Sequence, residues 1–246
     1  MRLWQIVVGF LWVAVIVRAD QAEDLARIHL EVIGGKGRID ALQSMRASGY
    51  VVTGGKKVRF TLLAARPNRL RLETGGDGRS LVQASDGESA PWKMDTSVST
   101  PQAQVMGESE GRLFSTDAEF DDPLVGGAER GFAFDFAGDV MIAGRKMQRV
   151  LVTRKLMDTF ALLVDADTYF ILAKIEQRQS VGGRRVEIVT RYDDYRPVAG
   201  VLLPHKVAVM TDGKLVQQTV IEAVEANPAV TRETFVRPMF VEPSPK

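Results

Sequence analysis

The chain has 246 residues, 45% of them hydrophobic and 26% charged, a composition that supports a folded globular protein with a substantial core. Its formal net charge is +1, from 32 basic and 31 acidic side chains, and nothing in that balance points to nucleic acid as a partner. Cysteine is absent, which excludes a disulfide framework and the acceptor thiol of a bacterial lipoprotein anchor.

At the N-terminus Arg2 precedes an apolar run from Ile6 to Val17, and Val17-Arg18-Ala19 places small or branched residues where a signal peptidase reads. As a helix this run is about 18 Å long, too short for a hydrocarbon core of about 30 Å. The reading is a leader, residues 1–19, cleaved after Ala19, and a mature protein that starts at Asp20 and is soluble in the periplasm. Its loss removes Arg2 and Arg18, leaving 30 basic against 31 acidic residues and a net charge of −1.

Leu25, Ile28, Val32 and Ile33 then recur at helical spacing, and Gly34-Gly35 ends that helix. A second short helix is expected from about Arg38 to Gln43, with Ile39 and Leu42 on one side. From there the period is two. Val58, Phe60, Leu62 and Ala64 alternate, followed by Leu70 and Leu72, with Gly54-Gly55 and Gly75-Gly76-Asp77-Gly78 as turns. The rhythm continues through Arg79 to Ser85, the turn Asp86-Gly87, and a strand with Trp92 and Met94.

The segment 96–130 interrupts the alternation. It is rich in Ser, Thr, Glu, Asp and Gly, has a weak helical phase at Leu113, Phe114, Ala118 and Phe120, and reads as a functional flap or a poorly ordered loop. Strands resume with Phe132, Phe134 and Phe136 on one face and run to Val224, with turns at Gly144-Arg145, Asp165-Ala166-Asp167-Thr168, Gly182-Gly183 and Asp212-Gly213. The fold class is mostly β (α+β): an incomplete antiparallel barrel of about eleven strands with an N-terminal helix and a helical or loop lid. Residues 20–246 are expected to form one domain.

Few residues suggest covalent chemistry. Gly107-Glu108-Ser109-Glu110-Gly111 matches the nucleophile-elbow pattern, but two glutamates flank the serine and would oppose an oxyanion. The two histidines, His29 and His205, lie far apart and lack metal-ligand spacing. Asp165 and Asp167 suit turn chemistry better than a calcium loop. No catalytic residue, metal or cofactor is assigned. The aromatic residues at 60, 92, 132, 134, 136 and 160 are either plain core or the lining of a cavity, since wide barrels enclose more space than their own side chains fill.

Arg66-Pro67-Asn68-Arg69-Leu70, then Ser85-Asp86-Gly87 and Trp92, resembles the LolA family of periplasmic lipoprotein carriers. Leu163-Val164-Asp165-Ala166-Asp167-Thr168 and Gly200-Val201-Leu202-Leu203-Pro204 are similar to the wider superfamily of outer-membrane lipoprotein-sorting proteins. The resemblance implies a barrel closed by helices around an acyl-chain cavity, with Arg66 bonded toward the lid. The ligand-binding set is then Arg66, from the resemblance, and Phe60, Leu62, Leu72, Trp92 and Phe134, which the alternation of the strands is expected to turn toward the cavity. The partners the resemblance implies are an acyl-chain lipid or lipoprotein and inner- or outer-membrane envelope proteins. The segment 96–130 matches nothing in that family. Two other functions remain open at this point: an envelope sensor or assembly module acting through protein contacts, and a serine hydrolase using Ser109.

Overall fold

The computed structural model describes residues 21–76, 79–127, 129–154, 158–179 and 183–238. The predicted leader and its cleavage site lie outside them. Helix α1 spans 21–32 and α2 spans Lys36–Ala41. Six strands follow: β1 (Ser44–Thr53), β2 (Lys56–Ala65), β3 (Arg69–Gly76), β4 (Arg79–Ser85), β5 (Trp92–Asp95) and β6 (Gln104–Val105). Helix α3 (Glu108–Asp117) separates them from β7 (Ala133–Ile142), β8 (Arg145–Thr153), β9 (Thr159–Asp165) and β10 (Ile171–Gln179). The strands β11 (Arg185–Val198), β12 (Val201–Thr211) and β13 (Lys214–Ala226) complete the set, and a 3-10 turn covers Arg232–Thr234.

The strands form one sheet in the order β6-β5-β4-β3-β2-β1-β13-β12-β11-β10-β9-β8-β7. Two antiparallel meanders, each built from neighbours in sequence, are joined where β13 pairs with β1. The sheet is open, with β6 and β7 at its two ends. The mostly β, antiparallel, unclosed architecture expected from the alternation is the one observed, with 13 strands in place of about eleven. The two-residue β6 is too short to show any period in sequence. At the β12–β13 hairpin both turn residues are left-handed, Asp212 at φ 46° and Gly213 at φ 76°, the type I′ geometry whose twist suits adjoining strands.

The chain divides into two compact units. The first contains α1, β7 to β10 and adjoining parts of β11, β12 and β13. Ala22, Leu25 and Ala26 of α1 pack on Phe136, Val150, Val152, Phe160, Leu162, Val164 and Ile171, with Phe132, Phe134, Tyr169 and Tyr192 at the margin. Each fully buried Val, Leu, Ile or Phe contributes about 1.5–3 kcal/mol. Of the expected face Leu25 and Ile33 are buried and Ile28 is half-buried, while Val32 is exposed and His29 is fully buried in addition. His29 can be buried because its Nδ1 donates to the Tyr169 carbonyl at 2.7 Å. On the other side of the same strands Met147, Leu163 and Ala173 form a second cluster, so β9 is apolar on both faces.

The second unit contains α2, β1 to β6, α3 and the C-terminal segment. One core groups Ala64, Leu70, Met106, Phe114 and Ala118 with Met45, Leu62, Leu72 and Phe120. Another groups Val82, Ala84 and Trp92 with Met94 and Ala103.

Candidate functional site

Strand pairing decides which predicted site residues share a face. Ala47 pairs with Leu62, Leu62 with Leu72, and Leu72 with Gln83; Phe60 pairs with Thr74, and Thr74 with Leu81. Directly paired residues point to the same side of a sheet. Phe60, Leu62 and Leu72 therefore lie on one face of the second unit, together with Ala64 and Leu70. Trp92 pairs with Ala84, which pairs with Arg71, the neighbour of Leu72, so Trp92 lies on the opposite face. There it is buried, its Nε1 donates to the Phe235 carbonyl at 2.9 Å, and the Arg71 guanidinium lies 5.8 Å from its ring. The structure thus brings Phe60, Leu62 and Leu72 together and does not bring Trp92 to them. Phe134 belongs to the first unit, where it is half-buried at the edge of the helix-covered core.

The face carrying Leu62 and Leu72 is covered by α3 and its flanks. Within 96–130, read in sequence as a lid or loop, the chain forms β6 and then α3, whose Phe114 packs with Met106, Ala118 and Phe120 on that face while Leu113 points outward. Farther out the same face turns polar. Leu81, Lys93, Asp95 and Gln104, with Val98, Thr100 and Gln102 of the following loop, line a recess of about 300 Å³.

Two ion pairs fasten the cover. Near its start, Lys93 Nζ donates to both carboxylate oxygens of Glu110, at 2.9 and 2.7 Å. Beyond its end, Arg66 pairs with Asp121: Nη1 donates to Oδ2, and Nη2 to Oδ1 at 2.7 Å. The Arg66 Nε also donates to the Leu42 carbonyl at 2.9 Å and Nη2 to the Ile39 carbonyl at 2.8 Å. The Phe120 ring lies 4.8 Å from the guanidinium carbon. One side chain therefore joins the end of α2 to the segment after α3, which a planar fork with five N–H donors can do and an ammonium cannot. The side chains of Arg66 and Asp121 are 19% and 18% exposed, against 37% and 42% for Lys93 and Glu110, so the Arg66 pair is the less screened of the two.

The resembling motifs are adjacent in space. The Arg66–Pro67 peptide is cis, and Asn68 packs against Gly87, which has φ 79°. Asp86 accepts from the backbone N–H groups of Glu88 and Ser89 at 3.0 and 2.7 Å and from the Ser89 hydroxyl at 3.1 Å. Burial alone would raise its pKa, but these donors and the charge of Arg232 hold it below 3.8. Arg69 is part of the same arrangement, since its Nε and Nη2 donate to the Arg66 carbonyl at 3.2 and 2.8 Å.

The other candidate chemistry falls into structural places. Ser109 is exposed in the first turn of α3, flanked by Glu108 and Glu110, with helical backbone rather than the sharp bend of an elbow. His205 is buried and its Nδ1 donates to the Leu203 carbonyl at 2.9 Å. Asp165, also buried, caps its turn by accepting from the N–H of Asp167 and from the N–H and hydroxyl of Thr168, while Arg145 approaches its other oxygen at 2.7 Å. Burial again opposes these contacts, and they prevail, holding its pKa below 3.8. Among the described residues no group of three potential ligands could hold a metal ion.

Sequence reasoning missed Asp121 and Glu110. Each sits beside other acids, Glu108 near Glu110 and Glu119 and Asp122 near Asp121, so nothing local singles it out, and only the fold brings them to Arg66 and Lys93.

No family model matches the sequence, and no curated protein matches it. Similarity is found among solved structures. A domain from Vibrio parahaemolyticus described as an outer membrane lipoprotein-sorting protein domain superposes with a TM-score of 0.59 at 10% identity, covering 88% of this chain and 97% of its own. A DUF1329 family protein from Desulfovibrio piger gives 0.59 at 13% identity, covering 89% and 97%. A LolA superfamily protein from Nitrosomonas europaea gives 0.51 at 12% identity, covering 84% and 96%. At these identities the likeness concerns the fold, and on it the chain has the LolA-like fold of outer-membrane lipoprotein-sorting domains.

Proposed function

We propose that the protein is a periplasmic carrier or binding protein for acylated ligands, lipids or lipoproteins, which it holds against apolar sheet faces without covalent chemistry. The observation that supports this is the seat of α3. Phe114, Ala118 and Phe120 cover an apolar face of Leu62, Ala64, Leu70 and Leu72, and the cover is fastened near its two ends, by side-chain ion pairs and by the backbone bonds of Met106 to Pro91 and Phe120 to Pro67, with a helix rather than a strand between them. A hydrocarbon chain gains about 0.8 kcal/mol per buried methylene, so a carrier needs a cover that competes for the same face and returns when the ligand leaves.

In this reading Phe60, Leu62 and Leu72 of the second unit and Phe134 of the first touch hydrocarbon. Arg66 controls the cover, and Trp92 anchors the C-terminal segment. Export, with removal of residues 1–19 and residence in the periplasm, belongs to the same proposal and rests on the apolar run Ile6 to Val17. Donor and acceptor proteins of the inner and outer membranes would load and unload the ligand.

Native mass spectrometry of the protein isolated from its own periplasm tests this. A retained species whose mass identifies an acylated molecule is the expected result. Protein that is uniformly free of lipid, and takes up none from membrane extracts, would leave the account without a ligand.

A further inference from the structure

In the first unit, β10 breaks the apolar pattern on the side of its sheet that faces the aromatic core. Lys174 pairs with Leu162 on β9, and Leu162 pairs with Val150 on β8, both members of the α1-covered cluster. Lys174, Glu176 and Arg178 therefore project in succession on the core side of the strand. Their side chains are 12%, 15% and 32% exposed. Charges are not withdrawn from water in this way without compensation. Here the compensation is uneven: Lys174 lies 3.4 Å from a Glu176 oxygen and Arg178 pairs with the other, so two cations share one carboxylate. Aromatic faces and further cations surround them. Lys174 Nζ is 5.6 Å and Arg154 Cζ 5.0 Å from the centre of the Phe160 ring, and Arg130 and Arg154 lie 4.6 and 5.5 Å from that of Phe132.

We infer that this cluster is a recognition site for the acidic head, a carboxylate or a phosphate monoester, of an amphiphilic ligand whose hydrocarbon lies along Phe132, Phe134 and Phe160. Lys174 and Arg178 supply the charge-assisted donors, and Glu176 holds them apart and in place when the site is empty. An anionic head supplies Lys174 and Arg178 with a second negative partner beside the one carboxylate of Glu176 that they share, and the phenylalanines give the first methylenes an apolar wall. A neutral amphiphile gains the wall and forfeits the ion pairs. The inference deepens the acyl-ligand reading and rests on it.

The test is equilibrium dialysis of the purified full chain against three amphiphiles of equal chain length: palmitate, hexadecyl phosphate and hexadecanol. Either anion, or both, should bind roughly tenfold or more tightly than the alcohol, as charge-assisted hydrogen bonds imply, and their relative affinities distinguish a carboxylate from a phosphate source. Lys174→Met should abolish that preference and leave hexadecanol within about twofold of wild type, while Glu176→Gln should strengthen anion binding by removing the competing carboxylate. Arg178→Gln serves as a second cation variant should Lys174→Met fail to fold, and Lys146→Met, at an exposed position of the same unit, should change nothing. Equal binding of all three amphiphiles, or equal loss of alcohol and anion in the Lys174 or Arg178 variant, would overturn the head-group site while leaving the acyl reading intact. Binding of none of them would overturn both.

Discussion

The side-chain oxygen of Asn68 lies 2.1 Å from where the Cβ of any residue other than glycine would stand at position 87. The Arg-Pro-Asn and Ser-Asp-Gly segments, well separated in sequence, are thus fitted to one another, and the fit carries Arg66 to the point where it reaches both α2 and Asp121. Gly87→Ala should cost about 1–3 kcal/mol, combining the clash with the strain of a left-handed alanine at φ 79°. Urea unfolding measures this, and Asn68→Gly in the same chain should restore the steric part.

Arg66→Leu removes charge-assisted bonds worth roughly 1.5–3 kcal/mol between the cover and the sheet. Exchange of a bound fluorescent fatty acid should accelerate roughly ten- to a hundredfold, with a smaller loss of stability than the ~2–5 kcal/mol of a core truncation. Arg66→Lys should not restore slow exchange, because one ammonium cannot serve Asp121 and two carbonyls in a plane. Arg69 is no control, since it bonds the Arg66 carbonyl; Arg46→Leu, in an exposed pair with Glu225, is. Wild-type exchange in Arg66→Leu would remove the latch from the account.

Trp92→Phe should lower stability by about 1 kcal/mol through loss of the bond to the Phe235 carbonyl, and leave hydrocarbon affinity unchanged. Calorimetric titration with the same fatty acid separates the two effects. Weakened binding at unchanged stability would move the ligand to the face opposite Leu62 and Leu72.

What was legible in sequence is what a two-residue period encodes. Val58, Phe60, Leu62 and Ala64 alternate with Lys57, Arg59 and Thr61, which are exposed, and that alternation placed β2. The face of Trp92 was not legible, since it depends on the β4–β5 register, which the chain between Ser85 and Trp92 sets. On α1 the apolar spacing found Leu25 and Ile33 but not His29, a polar residue whose burial is made tolerable by a carbonyl contributed from Tyr169. Lys174, Glu176 and Arg178 lie on the core side of β10, and no local sequence pattern places three charges there.

Asp86 and Asp165 both have folded-state pKa values held below 3.8, by turn N–H and hydroxyl donors that prevail over burial. With the folded value depressed, their stabilising contribution is fully present above the unfolded carboxylate pKa and is lost as pH falls through the folded value. Stability should therefore be level down to about pH 4–5 and fall below it. Asp165→Asn should lower the plateau and flatten the acid limb in pH-dependent urea unfolding. An acid limb unchanged by this variant would show that the capped turn does not contribute to it.

The central claim is that hydrocarbon lies on the helix-covered faces, and photo-crosslinking with a diazirine-bearing palmitate followed by peptide mapping tests it most directly. The account predicts labels on β2, β3 and α3 of the second unit, around Leu62, Leu72 and Phe114, or on the Phe134-bearing face of the first. Labels confined to Trp92 and Phe235, or to exposed tips such as Met141 and Leu215, would contradict it.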